Sequence, residues 1–148
     1  MTAIVVRALR MDDVEAIIDI DAAGSKRRRP LYFRSIFERT SYSPMQVSLV
    51  AEVEGVVAGY LLASVYYGEY GIAEPTASID AIGVRPDLRR QHVAHELMEQ
   101  LRSNLAALGV TTFRTEVSWS NFELLGFFRN EGFAPATRLC LELNLASR

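Results

Sequence analysis

A strand pattern that runs through a short basic turn into a long amphipathic helix constrains this chain most. Residues 76–84 are rich in β-branched and small apolar side chains, which is typical of a strand. Beyond the turn, apolar residues recur every three or four positions and predict a helix that ends at Gly109; they are Val93, Leu97, Leu101, Leu105 and Leu108. Such a junction aims backbone N–H groups and the positive helix end at one place, which favours a bound phosphate.

The composition indicates one folded domain. The chain has 148 residues, 49% of them hydrophobic, which is enough for a single core. A net charge of −2 argues against a general nucleic-acid binder. We therefore expect one domain over residues 1–148 and no nucleic-acid partner.

The cysteine and histidine content bears on compartment and metals. Cys140 is the only cysteine, so an intramolecular disulfide is excluded, and its alternating surroundings predict a small core residue. His92 and His95 are the only histidines, and no carboxylate cluster stands at ligand spacing beside them, so we expect no metal. Because no secretory pattern or membrane-length apolar run is present, we expect a cytoplasmic protein without membrane association.

The apolar and turn patterns predict six strands and four helices in the order β-α-α-β-β-β-α-β-α-β. The predicted strands cover residues 3–7, 47–53, 56–65, 76–84, 111–117 and 137–145. In the last of these, leucines occupy every second position from 139 to 145, which predicts one buried face. Capping pairs predict two of the helix starts; they are Asp12 with Glu15, and Ser120 with Glu123. The order predicts an α/β (α+β) three-layer fold, a mixed, mostly antiparallel sheet flanked by helices on both faces.

Three motifs, in order and on the matching elements, resemble the Gcn5-related N-acetyltransferase (GNAT) family. The family's coenzyme A loop reads Gln or Arg, two free positions, Gly, one free position, then Gly or Ala, and it corresponds to residues 89–94 after a Val-x-Pro lead-in at 84–86. The family's segment that reads Asn, then Leu or Phe followed by Tyr, then Gly-Phe is similar to residues 121–133, and the family's start is similar to residues 6–13. The resemblance spans nearly the whole chain.

Two residues depart from the family pattern. Phe128 stands where a tyrosine often serves as general acid. His92 stands where the loop has its first glycine. A left-handed backbone there would cost about 1–2 kcal/mol, whereas an ordinary helical backbone would cost almost nothing. The imidazole would either obstruct the pyrophosphate or, when protonated, contact it.

The resemblance implies acetyl transfer from acetyl-CoA to a primary amine. Backbone N–H groups near Ile82, Gly83 and Val84 would face the thioester, with Gly83 providing room. The alternative is an ordinary core strand with a glycine bulge. The coenzyme set continues through the loop and beyond it; its further members are Arg89, Arg90, Gln91, His92, Val93, Ala94, Asn121 and Phe128. Alternatively, the basic turn is only solvated and Asn121 only caps a helix.

Two carboxylates are candidates for the base that deprotonates the amine. Asp80 precedes the loop, and strand parity places it on one face with Ile82 and Val84. Glu116 lies on the next predicted strand. A buried strand carboxylate would have the raised pKa that a base near neutrality needs, but each residue is equally compatible with a solvent-facing position.

Other polar residues carry weaker expectations. Tyr66, Tyr67 and Tyr70 are substitutes for the missing acid or simply pack in a loop. The basic run at residues 26–29 lies where the family places part of its acceptor site, or is a solvated loop.

These observations lead to three functional hypotheses. We favour a cytoplasmic acetyl-CoA-dependent N-acetyltransferase that acts on a small amine or peptide amine; since family members are often dimers, a homodimer is expected. The main alternative, motivated by His92 and Phe128, is a catalytically degenerate coenzyme-A-binding regulatory or interaction module. A structural domain without a cofactor is the third.

Overall fold

A computed structural model describes residues 3–40 and 47–147, which group into two compact units, Met1–Glu116 and Val117–Arg148. The first unit contains five strands: β1 (Ile4–Ala8), β2 (Leu49–Val53), β3 (Val56–Tyr66), β4 (Thr76–Val84) and β5 (Thr112–Thr115). It also contains three helices: α1 (Val14–Ser25), α2 (Pro30–Thr40) and α3 (Val93–Ala107). The second unit contains α4 (Phe122–Asn130). Short 3₁₀ turns occur at Met11–Asp13, Glu69–Gly71, Pro86–Leu88 and Leu145–Ser147.

The strands form one sheet in the order β1-β2-β3-β4-β5. Neighbours pair antiparallel except β4 and β5, which run parallel. This confirms the predicted mixed, mostly antiparallel sheet. The β2–β3 hairpin turns at Glu54 and Gly55, whose φ angles of 52° and 77° are left-handed, as short hairpin turns require.

Helices pack on both faces of the sheet, which confirms the predicted layers. Gly59 faces α3, because a Cβ built on it would lie 2.9 Å from Val93 Cγ1. The next residue, Tyr60, belongs to a buried cluster with residues of α1 and α2 such as Ile17 and Phe33. Successive strand residues point to opposite faces, so α1 and α2 lie on one side and α3 on the other.

The chain segment before α1 differs from the predicted capping pair of Asp12 and Glu15. Asp13 instead accepts a hydrogen bond from the Arg10 N–H at 2.7 Å and pairs with the Arg7 guanidinium at 2.8 Å. Burial alone would raise the pKa of the Asp13 carboxyl, but these hydrogen bonds outweigh burial and the pKa is lowered. The motif therefore ties the end of β1 to the start of α1.

The predicted last strand over residues 137–145 is wrong. Among the described residues this segment forms no strand, and Leu139, Leu141, Leu143 and Leu145 are 70–88% exposed. Cys140 is exposed too, so its prediction as a core residue is also wrong. Alternating apolar residues indicate that a segment is suited to form a strand, but they do not determine which strand it pairs with.

In the described part of the chain, no helix combines the length and the apolar character needed to cross a bilayer.

Candidate active site

The backbone between β4 and α3 has an alternating conformation. Arg90 and His92 adopt left-handed φ angles of 71° and 66°, while Gln91 between them does not. Alternation of this kind points successive N–H groups into a concavity that suits an anion. The first N–H groups of α3, including those of Val93 and Ala94, have no partner within the helix. The backbone shape of the loop is therefore compatible with an anion, and the predicted contacts of residues 89–94 with pyrophosphate stay predictions.

His92 occupies a position that glycine would occupy without strain. As the residue directly before α3 it has φ 66° and ψ 18°, and its side chain makes no capping hydrogen bond. Its ring is exposed and lies 6.4 Å from the ring of His95, edge to face. The left-handed alternative considered above therefore applies, at a cost of about 1–2 kcal/mol relative to glycine.

The side chain of Arg89 lies against α1. A Cβ built on Gly24 would lie 3.0 Å from Arg89 Nη2, so the guanidinium packs against the last turn of that helix. Glycine at position 24 admits this contact. The predicted role of Arg89 in binding pyrophosphate stays a prediction, and the contact shows that its side chain also links the loop to α1.

β4 extends beyond the end of β5. The last paired positions are Ile79 and Thr115, and the Thr115 hydroxyl donates to the Ile79 carbonyl at 3.1 Å. Among the described strands, Ile82, Gly83 and Val84 then pair with β3 alone. No described strand pairs with the other edge of this stretch, where the N–H groups of Ile82 and Val84 lie because the Gly83 N–H faces β3. The predicted thioester contact stays a prediction.

The structure explains the glycine at position 83 differently from the sequence prediction. A Cβ built on it would lie 2.7–2.8 Å from Cε1, Cζ and Oη of Tyr60. The space that a side chain would occupy is thus filled by the protein's own Tyr60 ring rather than left open for a ligand. Sequence reasoning missed Tyr60, and the only available signal was a phenol within the apolar run of residues 56–65.

Asp80 is the extra residue of a β-bulge. Leu62 pairs with Ala81 and Ala63 with Ile79, so Asp80 has no opposite residue on β3. The bulge breaks the parity used in the prediction, because counting by twos fails across an inserted residue. Asp80 is exposed, whereas Ile82 and Val84, the residues that parity placed beside it, are half-buried.

The environment of Asp80 suits a general base. Desolvation by surrounding protein raises the pKa of its carboxyl, although the residue keeps an exposed surface. Hydrogen bonds from Ser64 and Ser78 and the charge of Arg39 act in the opposite direction without cancelling the increase. The Ser64 hydroxyl is 3.5 Å from Oδ2, a long and weak hydrogen bond.

Glu116 lies just past the end of β5 rather than on a strand, and it is exposed. Asp80 and Glu116 each follow the last paired residues of β4 and β5. The parallel register therefore brings both candidate bases to the point where the two strands part.

In the second unit, Asn121 and Phe128 have structural roles. Asn121 Oδ1 accepts from the Leu124 N–H at 3.1 Å and caps α4, where Ser120 was the predicted cap. Phe128 is 4% exposed, and its ring lies 4.9 Å from that of Phe133 and 5.3 Å from that of Phe127. The coenzyme contacts predicted for both residues stay predictions.

Tyr66 is far from Gly83 along the β3–β4 ladder. Tyr66 pairs with Thr76, at the opposite end of the β3–β4 ladder from the pair of Tyr60 and Gly83. Six residues of strand span about 20 Å. Tyr66 is therefore a poor substitute for an acid near Gly83, and the roles considered for Tyr67 and Tyr70 stay predictions.

Two of the four residues in the basic run pair with acids. Arg29 makes two hydrogen bonds to Asp21, at 2.6 and 3.0 Å, and Arg28 pairs with Asp19 at 2.9 Å. Asp21 is nearly buried and the Asp19 pair is exposed. Arg29 is thus a fixed structural cation, whereas Arg28 belongs to the solvated face.

Comparison with known proteins identifies the family. The model of the acetyltransferase (GNAT) family matches residues 13–133, which is most of the chain. The chain belongs to this family. The match includes β4, the loop and α4, so it covers every predicted site residue of this GNAT protein.

Solved structures with the same fold include three informative neighbours. Aminoglycoside N-acetyltransferase AAC(6')-Iy in complex with CoA has a TM-score of 0.81 at 17% identity, covering 98% of this chain and 97% of the other. AAC(6')-Ih from Acinetobacter baumannii has a TM-score of 0.80 at 15% identity, covering 96% and 98%. The ribosomal-protein alanine N-acetyltransferase of Escherichia coli has a TM-score of 0.75 at 23% identity, covering 91% and 80%. At these identities the likeness shows the fold of this GNAT protein, not its acceptor.

Proposed function

We propose that this protein transfers an acetyl group from acetyl-CoA to a primary amine of a small molecule or peptide. The observation that carries the proposal is the sequence of features along residues 80–94. The stretch of β4 beyond Ile79, which pairs with no described strand besides β3, is followed by the turn at Pro86–Leu88, by a loop with left-handed Arg90 and His92, and by the start of α3. One end therefore suits a thioester carbonyl and the other suits a pyrophosphate.

The proposed reaction is direct attack of the amine on the thioester. Asp80 accepts the amine proton, the new C–N bond forms, the C–S bond breaks, and the thiolate leaves and takes a proton from water. The Arg85 N–H donates to the Ala58 carbonyl of β3, so in the antiparallel ladder the Gly83 N–H also faces β3, while the N–H groups of Ile82 and Val84 face away from it. In the proposed reaction these two outward N–H groups stabilise the charge that develops on the carbonyl oxygen. Phe128 cannot donate a proton, but releasing a thiolate rather than a thiol at pH 7 costs only about 2 kcal/mol, since the thiol pKa is about 8.5.

The neighbours support an amine acceptor without specifying it. Two act on aminoglycosides and one on an alanine of a ribosomal protein, so small molecules and peptides are both represented. The family match spans both compact units, which supports a single domain over residues 1–148. The absence of any cysteine besides Cys140 supports a cytoplasmic setting.

The proposal includes a homodimer. The exposed leucines at 139, 141, 143 and 145 support it, because a period-two apolar face suits a strand partner and a second copy would offer one. Sedimentation of the wild type and of Leu141→Asp tests this. The proposal expects a dimer that the charge converts to a monomer, and a monomeric wild type contradicts it.

The function is tested by thiol release from acetyl-CoA with a panel of amines that includes aminoglycosides, polyamines and N-terminal peptides. We expect turnover with at least one class. The second candidate, a coenzyme-A-binding module without turnover, is favoured by the strained His92 and by Phe128. It predicts a thermal shift with coenzyme A but no thiol release from any amine, and that result would overturn the enzyme proposal.

A further inference from the structure

Tyr60 lies directly against the strand segment proposed to face the thioester. It sits within β3, opposite Gly83 in the ladder, and it is 2% exposed. The three atoms nearest to a Cβ built on Gly83 all belong to this ring, at 2.7–2.8 Å. The contact is therefore ring on backbone, and any other residue at position 83 would displace one of the two.

The ring is itself held from the α1 and α2 side. Phe33 of α2, fully buried, meets Tyr60 edge to face with ring centres 5.9 Å apart. The Arg29 guanidinium lies 4.8 Å from the centre of the Tyr32 ring and 5.5 Å from that of Phe33. Asp21 of α1 fixes Arg29 through two hydrogen bonds. A continuous series of contacts thus runs from α1 and α2 to the backbone of β4.

The support matters because of where it occurs. Beyond Ile79, β3 is the one described strand that pairs with β4, so among the described residues no second ladder keeps the outward N–H groups of this stretch in place. Donors that stabilise a transition state must be positioned before the reaction, and a displacement of about 1 Å can cost about 100-fold in rate.

The hydroxyl of Tyr60 stays protonated in the working pH range. Burial raises the pKa of this phenol, and the nearby Asp21 carboxylate raises it further. With so little exposed surface, the side chain has no direct route to a substrate. Its effect must pass through the backbone that it contacts.

We propose that Tyr60 is a positioning residue for acetyl transfer, whose ring fixes the Gly83 backbone and thereby the adjacent Ile82 and Val84, whose N–H groups face away from β3. This inference rests on the proposed function. The ring, rather than the hydroxyl, carries the effect, because Cε1 and Cζ approach position 83 as closely as Oη does.

The test compares Tyr60→Leu with Tyr60→Phe, using Phe37→Leu as the control. Phe37 is another buried ring, 1% exposed, on α2, so its truncation reproduces the loss of packing without touching Gly83. We expect Tyr60→Leu to lower kcat on the order of 10- to 100-fold. We expect its KM for acetyl-CoA to change by less than about threefold, since the contact matters most in the transition state. Tyr60→Phe and Phe37→Leu should keep kcat within about threefold of the wild type.

A second variant tests the same contact in case Tyr60→Leu does not fold. Gly83→Ala places a methyl group where the Tyr60 ring lies, so it should displace the Gly83 backbone and lower kcat without changing the KM for acetyl-CoA. In the double variant Tyr60→Leu with Gly83→Ala, the methyl enters the space left by the ring, so part of the lost kcat should be recovered. Unchanged kcat in Tyr60→Leu, or an equal loss in Phe37→Leu, overturns the inference while the proposed function stands. If the wild type releases no thiol in the same assay, the proposed function fails and this inference fails with it.

Discussion

The two compact units differ in how their apolar residues are covered. In the first, a five-stranded sheet is sandwiched between helices, and Leu61 and Leu97 are completely buried. In the second, Phe128 is buried beside Phe133, yet the leucines from 139 to 145 are exposed. The first unit therefore buries most of its apolar patterns, although Leu31 and Leu108 are 81% and 50% exposed, whereas the second carries a strand-like pattern without a strand. Sequence periodicity shows that a segment has an apolar face, and only the three-dimensional structure shows whether that face is buried within the same chain.

The largest expected effect contrasts one leucine from each unit. Leu61→Ala in β3 should lower the free energy of unfolding by about 2–5 kcal/mol, because it leaves a cavity in a closed core. Leu141→Ala, at 86% exposure, should change it by less than about 0.5 kcal/mol under dilute, monomeric conditions. Urea denaturation measures both. A loss of comparable size at Leu141 would mean that residues 137–145 are packed in the monomer, and the contrast between the units would disappear.

The same contrast explains which features were predictable from sequence. The strand at Thr76–Val84 was predicted with the observed bounds, because its β-branched pattern is bounded by turn residues and it lies inside the sheet. The bulge at Asp80 was not, since it is a property of pairing with β3. The Tyr60–Gly83 contact likewise depends on cross-strand register, which no local pattern encodes. The sequence offered both Ser120 and Asn121 as caps of the last helix, since the two are equally good capping residues, and the structure places the cap at Asn121.

The next largest expected effect is on kcat/KM, and it concerns Asp80, the candidate base in the first unit. Asp80→Asn should lower kcat/KM about 100-fold, because the amide cannot accept a proton. In the wild type the base is lost as pH falls through the raised pKa of Asp80, so kcat/KM should rise with pH in that range and level off above it. The variant should lack this dependence. Asp19→Asn, an exposed acid on α1, is the matched control. If Glu116→Gln shows the loss and Asp80→Asn does not, Glu116 is the base.

A smaller effect is expected for coenzyme affinity. Arg90→Ala should weaken coenzyme A binding about 10-fold, since charge-assisted contacts to phosphate are strong, and Arg89→Ala should weaken it as well. Arg34→Ala, which removes an exposed arginine paired with Glu15, is the control. Calorimetric titration at two salt concentrations measures the change. Equal affinities for Arg90→Ala and Arg34→Ala would remove the loop side chain from the site.

The smallest effect concerns the strained loop residue. His92→Gly should stabilise the protein by about 1 kcal/mol, because glycine adopts the left-handed conformation without a penalty. Removing the imidazole should also tighten coenzyme A binding. Glu54→Gly, at a left-handed position in the β2–β3 turn, should stabilise the protein without altering affinity. If His92→Gly binds coenzyme A more weakly than the wild type, the imidazole contributes to binding rather than obstructing it.

The most direct test of the central claim is amide hydrogen exchange across the chain, with and without acetyl-CoA. The claim is that the unpaired edge of β4 and the following loop together hold the acetyl-CoA thioester and pyrophosphate. It predicts slower exchange at residues 82–84 and 90–94 when acetyl-CoA is present, with residues 139–145 unchanged. Slowing confined to residues 117–147, or no slowing in either segment of the first unit, would contradict it.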